Sequence, residues 1–381
     1  MIRTYVFPLN PNKSQEYTLE KWLEACCYLR NTALEQRIIA YKQSGKSVSL
    51  FDQQKQLTDL RSSDNDNYWS QIPVEILRSA LTRLDLAYKA FFRRIKLGLT
   101  PGFPRFKSRY RYDSFSFGSS NPVIIKKNKI QIPNLGLVKF KLYRDIPLKA
   151  NIKEAHIRRS ASGRWKMCLV LDLGDPPPKV AINTSVGIDV GLTTLATLSD
   201  DKRIENIRFY RESESSIAKL NQELARKQKD SNNRFRARVK LAKAHERIKN
   251  QRINYLRHKA KELVTNYDLI IFEDLQIKNM VRGNLGKSIN DASWNILMNC
   301  TTYKAEEAGK YVIFVNPWGT SQECSRCGMT VTKELSERIH NCPHCGLIMH
   351  RDLNGAKNIQ SRGLRDLETL LFKVVEREAS N

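Results

Sequence analysis

Four cysteines in two pairs, Cys324-x-x-Cys327 and Cys342-x-x-Cys345, with fourteen residues between the pairs, constrain this chain more than any other feature. Two such pairs supply the four thiolates of a tetrahedral site, so the spacing predicts one structural Zn²⁺ on Cys324, Cys327, Cys342 and Cys345. Four sulfur ligands leave no open position, so this ion cannot activate water; it folds a short segment that has too little core of its own. His340, His344 and His350 lie close by, but the shell is complete without them, and they read as surface or phosphate-contacting residues. Seven residues after Cys345 stands Asp352, which poses a choice between a zinc finger that reads nucleic acid and a metal-pinned insert beside a catalytic carboxylate. Cys26, Cys27, Cys168 and Cys300 fall in apolar helix-like or strand-like patterns and read as buried small side chains, so metal binding fits this cysteine usage better than oxidation.

Charge narrows the partner. Sixty-five Lys and Arg against 39 Asp and Glu leave +26, a surplus that opposes compactness unless a polyanion neutralises it. Nucleic acid is the leading partner and an acidic membrane surface the second. No apolar run approaches the roughly 18 residues of a spanning helix, and MIRTYVFPLNPNK lacks a signal-peptide core, so an intracellular protein without a membrane partner is expected. At 381 residues and 41% apolar content, the chain can bury two or three cores.

The pattern along the chain divides it. IRTYVFPL alternates like a strand, and apolar residues at helical spacing follow from Leu19 to Ile38 and again from Ile76 to Ile95, closed by Gly45 and Gly98. In GFPRFKSRYRYDSFSF, 102–117, basic and aromatic residues interleave around a proline, which suits base stacking with phosphate contact or a basic loop pinned by its own aromatics. From Asn121 to Asp172 the period changes to two, in VIIKKNKIQI, LVKFKLYR and IKEAHIRRSASGRWKMCLVLDL, which predicts a β-rich unit, with a barrel as one way for it to close. GDPPPK, 174–179, cannot continue a central strand and marks a linker. Beyond it come a strand, turn and strand in SVGIDVGLTTLATLSD, and two basic helices over 212–264 broken near 230. These helices read as a solvated face or as the wall of a nucleic-acid groove. YDLIIFEDLQI then reads as an apolar strand ending on Glu273 and Asp274, and YKAEEAGKYVIFVNP as a helix and strand.

Three acids stand out. Asp189 sits in an otherwise apolar strand, Glu273 ends a later strand, and Asp352 opens the helix LNGAKNIQSRGL. Acids drawn from separate elements are the ingredients of a ribonuclease-H-like site, where two hard divalent cations about 3.5 to 4 Å apart need oxygen ligands around one phosphate. Taken singly, each acid is a weak signal: Asp352 reads more readily as a helix cap and Glu273 as a solvent-facing strand end.

As an ordered set, LRNTALEQR (29–37), GFPRFKSR (102–109), GIDVGLTTLATLSD (187–200), FEDL (272–275), SWNILMNCTTYKAEEAG (293–309), TSQECSRCG (320–328), LSERIHNCPHCG (335–346) and HRDLNGAKNI (350–359) resemble the TnpB family, the RNA-guided nucleases of bacterial insertion sequences. The resemblance runs nearly the whole chain. It implies an α/β multidomain protein: a β-barrel wedge domain at 1–10 and 119–180, and a helical recognition domain at 11–118. It also implies a RuvC nuclease domain at 181–322 and 347–381, with a zinc ribbon at 323–346. Asp189, Glu273 and Asp352 become the RuvC triad holding two Mg²⁺. The implied partners are a guide RNA from the transposon end and double-stranded target DNA beside a short T-rich motif, bound by a monomer with its RNA in the bacterial cytoplasm, at the nucleoid when on DNA.

Arg105, Lys107, Arg109, Arg338 and Arg351 are candidate nucleic-acid contacts, and Asn354, two residues past Asp352, a candidate partner for the acids. Two positions depart from the family pattern: His350 stands where aspartate is common and Gly355 where alanine is. The alternatives to an RNA-guided endonuclease are a nuclease-inactive RNA-guided repressor, which a lost triad acid would mark, and a protein-only transposase or resolvase.

Overall fold

The computed structural model describes residues 1–118, 124–334 and 336–379. The chain divides into two units, Met1–Asp175 and Pro176–Asn381, at the proline-rich stretch expected to be a linker.

The first unit contains β1 (Ile2–Asn10), α1 (Lys13–Ser44), α2 (Leu50–Ser62), α3 (Val74–Lys96), β2 (Ser114–Phe117), β3 (Ile125–Lys126), β4 (Lys129–Ile132), β5 (Gly136–Phe140), β6 (Asn151–Arg159) and β7 (Trp165–Asp172). A capping box starts α1: Asn12 Oδ1 accepts from the Gln15 N–H at 2.8 Å while Gln15 Oε1 accepts from the Asn12 N–H. The helix ends on Gly45, whose φ of +65° suits glycine. Sequence periodicity misses α2, because few apolar residues mark it; the Ser49/Asp52 capping box was its legible signal. The strands form one antiparallel sheet in the order β2-β6-β7-β1-β5-β4-β3. Period-two alternation turns Tyr5, Phe7 and Leu9 of β1 inward, into one core with Met167, Leu169 and Leu171 of β7, Leu19 and Trp22 of α1, and Ile76, Leu77 and Leu84 of α3. These ladders draw an open sheet with β2 and β3 at its edges. No ladder among the described residues joins those two strands, so barrel closure stays an expectation. The first residue of VIIKKNKIQI, Val123, and the expected boundary at 119 lie outside the described residues.

The second unit contains β8 (Ser185–Val190), β9 (Thr194–Leu198), β10 (Arg203–Glu205), α4 (Phe209–Ala225), α5 (Asn232–Asn266), β11 (Leu269–Glu273), α6 (Ile277–Met280), α7 (Gly286–Ala292), α8 (Trp294–Glu307), β12 (Tyr311–Val315), β13 (Ile339–Asn341), β14 (Ile348–His350) and α9 (Arg351–Ala379). Its main sheet runs β10-β9-β8-β11-β12: β10, β9 and β8 pair antiparallel, and β8, β11 and β12 run parallel. Parallel strands require crossovers, and α4, α5 and α8 supply them. The strands are apolar on both faces because helices cover both. Val186, Ile188, Ile270 and Phe272 face a core shared with Leu256, Ala260 and Leu263 of α5 and Leu297 and Met298 of α8. Leu269 and Ile271 join Ile359 of α9 on the opposite face.

Alternation puts Gly187 on the α9 side, and there the helix comes within backbone contact. A Cβ at residue 187 would stand 2.2 Å from the Ala356 carbonyl oxygen and 2.5 Å from the Gln360 nitrogen. Both neighbours are backbone and cannot swing aside. Gly187→Ala should therefore destabilise the second unit by about 1 to 3 kcal/mol. An unchanged urea-unfolding midpoint would show that α9 does not lie this close.

Candidate catalytic and zinc sites

The same alternation positions two of the acids. Asp189 lies two residues beyond Gly187 and Glu273 two beyond Ile271, so both side chains leave the sheet on the α9 face. Parallel register pairs Ile188 with Phe272, which makes Asp189 and Glu273 neighbours one step later, at the carboxyl ends of adjacent parallel strands. Open α/β sheets bind ligands at that edge. The third acid, Asp352, lies in the first turn of α9. Gly355, one turn on, lies against Asp189: a Cβ there would stand 2.9 Å from Asp189 Oδ2. The glycine there thus leaves the carboxylate room.

Electrostatics at this edge is repulsive. Burial, then the charges of Glu273 and Asp352, push the pKa of Asp189 well above the usual carboxylate range, and Arg351 offsets this only in part. Glu273 is 8% exposed. Burial raises its pKa too, against a hydrogen bond from Thr320 and the charge of Arg362. A structural buried acid looks different. Asp291 is 6% exposed, but it accepts from the backbone of Tyr210 and Arg211 at the start of α4 and from Arg252 at 2.6 Å. Carboxylates crowded in this way, which Arg351 and Arg362 offset only in part, suit hard divalent ions. Among the described residues, the group of three or more donors placed to hold one ion is the four cysteines, whose sulfurs all lie within 4.8 Å of one another. Asp274, the next residue, is exposed.

The cysteines form two matching knuckles. In each, a glycine after the second cysteine, Gly328 at φ +74° or Gly346 at φ +71°, donates its N–H to the carbonyl of the first cysteine. The Cys324–Cys345 and Cys327–Cys342 sulfurs lie 3.6 Å apart. Ligands 2.3 Å from a tetrahedral zinc would be about 3.8 Å apart, so the cluster fits that ion. At Cys342 desolvation raises the pKa, but the backbone N–H groups of Cys345 and His344, with the Cys327 and Cys345 thiols, outweigh it and bring the thiol to about 6, while burial and the neighbouring thiols push Cys345 up to about 12. The β13–β14 hairpin rises from these knuckles and runs directly into α9.

His340 corrects an expectation: it is wholly buried, not at the surface, with Nδ1 facing Lys333 Nζ. His350 ends β14, and its Nδ1 accepts from the Asp352 N–H at 3.3 Å, so the imidazole does a capping aspartate's work. Arg338 and Arg351 flank the base of the hairpin, joined by a 2.8 Å backbone hydrogen bond, with Arg351 close enough to act on Asp189. Asn354 does not meet the acids: it donates to the Glu323 carbonyl and accepts from the Ser325 N–H. The residue that does reach Glu273, Thr320, was missed in the sequence; it is marked only by its place in TSQECSRCG.

Arg105, Lys107 and Arg109 belong to the first unit. There Arg30 donates to the Arg105 carbonyl at 3.0 Å, and the Asn31 amide bonds both the N–H and the carbonyl of Lys107. This Arg-Asn pair of α1 holds the loop, and Phe103 wedges against Tyr88 and Phe91. All three cationic side chains remain exposed, Arg109 beside Glu24 at 2.9 Å. The loop is therefore pinned by its backbone and an aromatic while it presents its charges. On α5, Ala237, Ile248, Leu256 and Ala260 mark the buried face, and Arg236, Lys243, Arg247, Lys249 and Arg257 lie exposed.

Comparison with known proteins follows this geometry. Residues 168–284 match the "Probable transposase" family OrfB_IS605, residues 294–359 the Cas12f1-like TNB domain, and residues 1–46 a helix-turn-helix domain. That last segment folds here as β1 and the single unbroken helix α1. The chain is 27% identical to "Putative RNA-guided DNA endonuclease InsQ" of Escherichia coli (strain K12), over 95% of this chain and 92% of that one. It is 29% identical to a "Putative RNA-guided DNA endonuclease" of Streptomyces pristinaespiralis, over 95% and 89%. In fold it resembles the Cas12f1 chain of a Cas12f1–sgRNA–target DNA complex, with a TM-score of 0.56 at 14% identity over 92% of this chain and 83% of that one. The mini-RNA-guided endonuclease CRISPR-Cas_phi3 gives 0.55 at 12% over 95% and 92%.

The cysteine geometry generates a test. Purified protein should carry one zinc per chain by elemental analysis, and Cys342→Ser should lose it together with thermal stability. Full zinc occupancy in that variant would dissolve the four-thiolate assignment.

Proposed function

We propose that this chain, which is of the TnpB type, is an RNA-guided DNA endonuclease of an insertion sequence. One observation carries the reading: three acids from distant parts of the sequence meet at the open edge of the sheet, where burial and then the charges of Glu273 and Asp352 raise the cost of charging Asp189. Asp189, Glu273 and Asp352 are the residues that would hold two Mg²⁺. When bound, the ions supply a nucleophilic water and neutralise charge on the scissile phosphate. The chain itself holds the acids in register through β8, β11 and α9, keeps Glu273 dry, and sets Arg351 beside the acids to attract a phosphate. All three acids are present, which favours a nuclease over an inactive repressor.

The +26 charge and the exposed cations of α5 suit an extended polyanion. Base pairing would read the target while the protein contacts backbone and a short T-rich motif, as in RNA-guided effectors. In this reading, 1–10 with 119–180 is a wedge domain and 11–118 a recognition domain; Arg105, Lys107, Arg109 and Arg338 contact nucleic acid. The zinc ribbon, 323–346, interrupts a RuvC domain at 181–322 and 347–381, and a monomer with its RNA works on DNA in the cytoplasm.

RNA sequenced from the purified protein should carry a transposon-end segment, and replacing its 3′ portion should redirect cleavage. A nucleic-acid-free protein that cuts defined sites would instead be a protein-only transposase or resolvase. Asp189→Ala should keep guide-dependent DNA binding and abolish cutting in Mg²⁺; retained cutting would remove Asp189 from the triad.

A further inference from the structure

Thr320 lies in the turn after β12, and its hydroxyl donates to Glu273 Oε1 at 2.5 Å in the interior. Pro317 O lies 2.9 Å from the same hydroxyl, but one proton serves one acceptor at a time and the carboxylate is the stronger. The turn is held in its turn by α9. Asn358 Nδ2 donates to the carbonyls of Thr320 at 2.8 Å and Glu323 at 2.7 Å. Asn354 Nδ2 also donates to Glu323 O, and its Oδ1 accepts from the Ser325 N–H, next to the zinc-ligand candidate Cys324. Arg362 donates to the carbonyls of Asn316 and Trp318 and pairs with Glu323 at 2.7 Å.

Asn354, Asn358 and Arg362 recur every four residues, so they line one face of α9. The two amides are 0% and 6% exposed, and burying them is tolerable only because the backbone of 320–325 satisfies them. One helix face therefore fixes both the first cysteine knuckle and the threonine that touches Glu273. Donation to Oε1 restricts rotation of the carboxylate and leaves Oε2 available to a cation.

We propose that Thr320 is a positioning residue for Glu273, and that Asn354, Asn358 and Arg362 clamp Thr320 and the first zinc knuckle into one rigid piece that readies the acids for divalent cations. This rests on reading the three acids as a cation site. Valine at 320 keeps the shape and lacks the donor; serine keeps the donor.

The test measures Mn²⁺ binding by the full chain, from the free Mn²⁺ signal in electron paramagnetic resonance, beside zinc content. Thr320→Val should retain zinc yet bind Mn²⁺ about 10- to 100-fold more weakly. Thr320→Ser should restore binding, and Asn358→Ala should weaken Mn²⁺ binding while releasing zinc faster to a chelator. In cleavage, Thr320→Val should raise the Mg²⁺ concentration for half-maximal rate more than it lowers the saturated rate. Parental Mn²⁺ affinity in Thr320→Val, or equal loss in the valine and serine variants, would overturn the positioning role. If Asp189→Ala also bound Mn²⁺ like the parent, the acid-site reading beneath it would fall as well.

Discussion

The backbone contact between α9 and β8 is the constraint on which the rest of the second unit depends. A strand residue without a side chain, Gly187, lets the Ala356 carbonyl and the Gln360 amide approach closer than any Cβ allows. With the helix seated there, its first turn reaches the carboxyl end of the sheet and brings Asp352 toward Asp189 and Glu273. Gly355 removes the next obstacle, against Asp189 itself. Repulsion among these acids works against the arrangement, so the packing energy of the sheet and helix must hold it.

The zinc-ligand candidates take a different part from the one their sequence first suggests. Their knuckles carry the hairpin whose second strand becomes the first turn of α9, and His350 caps the junction. The first knuckle also meets Asn354 through the Ser325 N–H. The four-cysteine cluster is thus joined by continuous chain to the helix turn that carries Asp352.

Legibility followed the strength of local physics. The four cysteines were readable because their spacing is itself the geometry, and Asp189 and Glu273 because a charge in an apolar strand needs a reason. Strands β1, β8 and β11 and helices α1, α3, α4, α5 and α9 were legible from periodicity. Less was visible where tertiary packing decides. The helix α2 carries too few apolar residues to declare itself, LVKFKLYR leaves its strand at Phe140, and His340 turns inward while the apolar Ile339 beside it stays exposed. Arg30 and Asn31, which hold the Arg105–Lys107 loop, lie some 75 residues away from it, beyond the reach of any local pattern. The same holds for Thr320, set 47 residues from Glu273. Asn354 stands where the sequence suggested but serves the knuckle segment rather than the acids.

The central claim is that Asp189, Glu273 and Asp352 together hold divalent cations. Anomalous scattering from crystals of the RNA- and DNA-bound protein in Mn²⁺ tests it most directly. The account predicts two Mn²⁺ peaks about 3.5 to 4 Å apart, each ligated by at least one of the three carboxylates. Manganese held by other residues, with no density at this edge of the sheet, would contradict it.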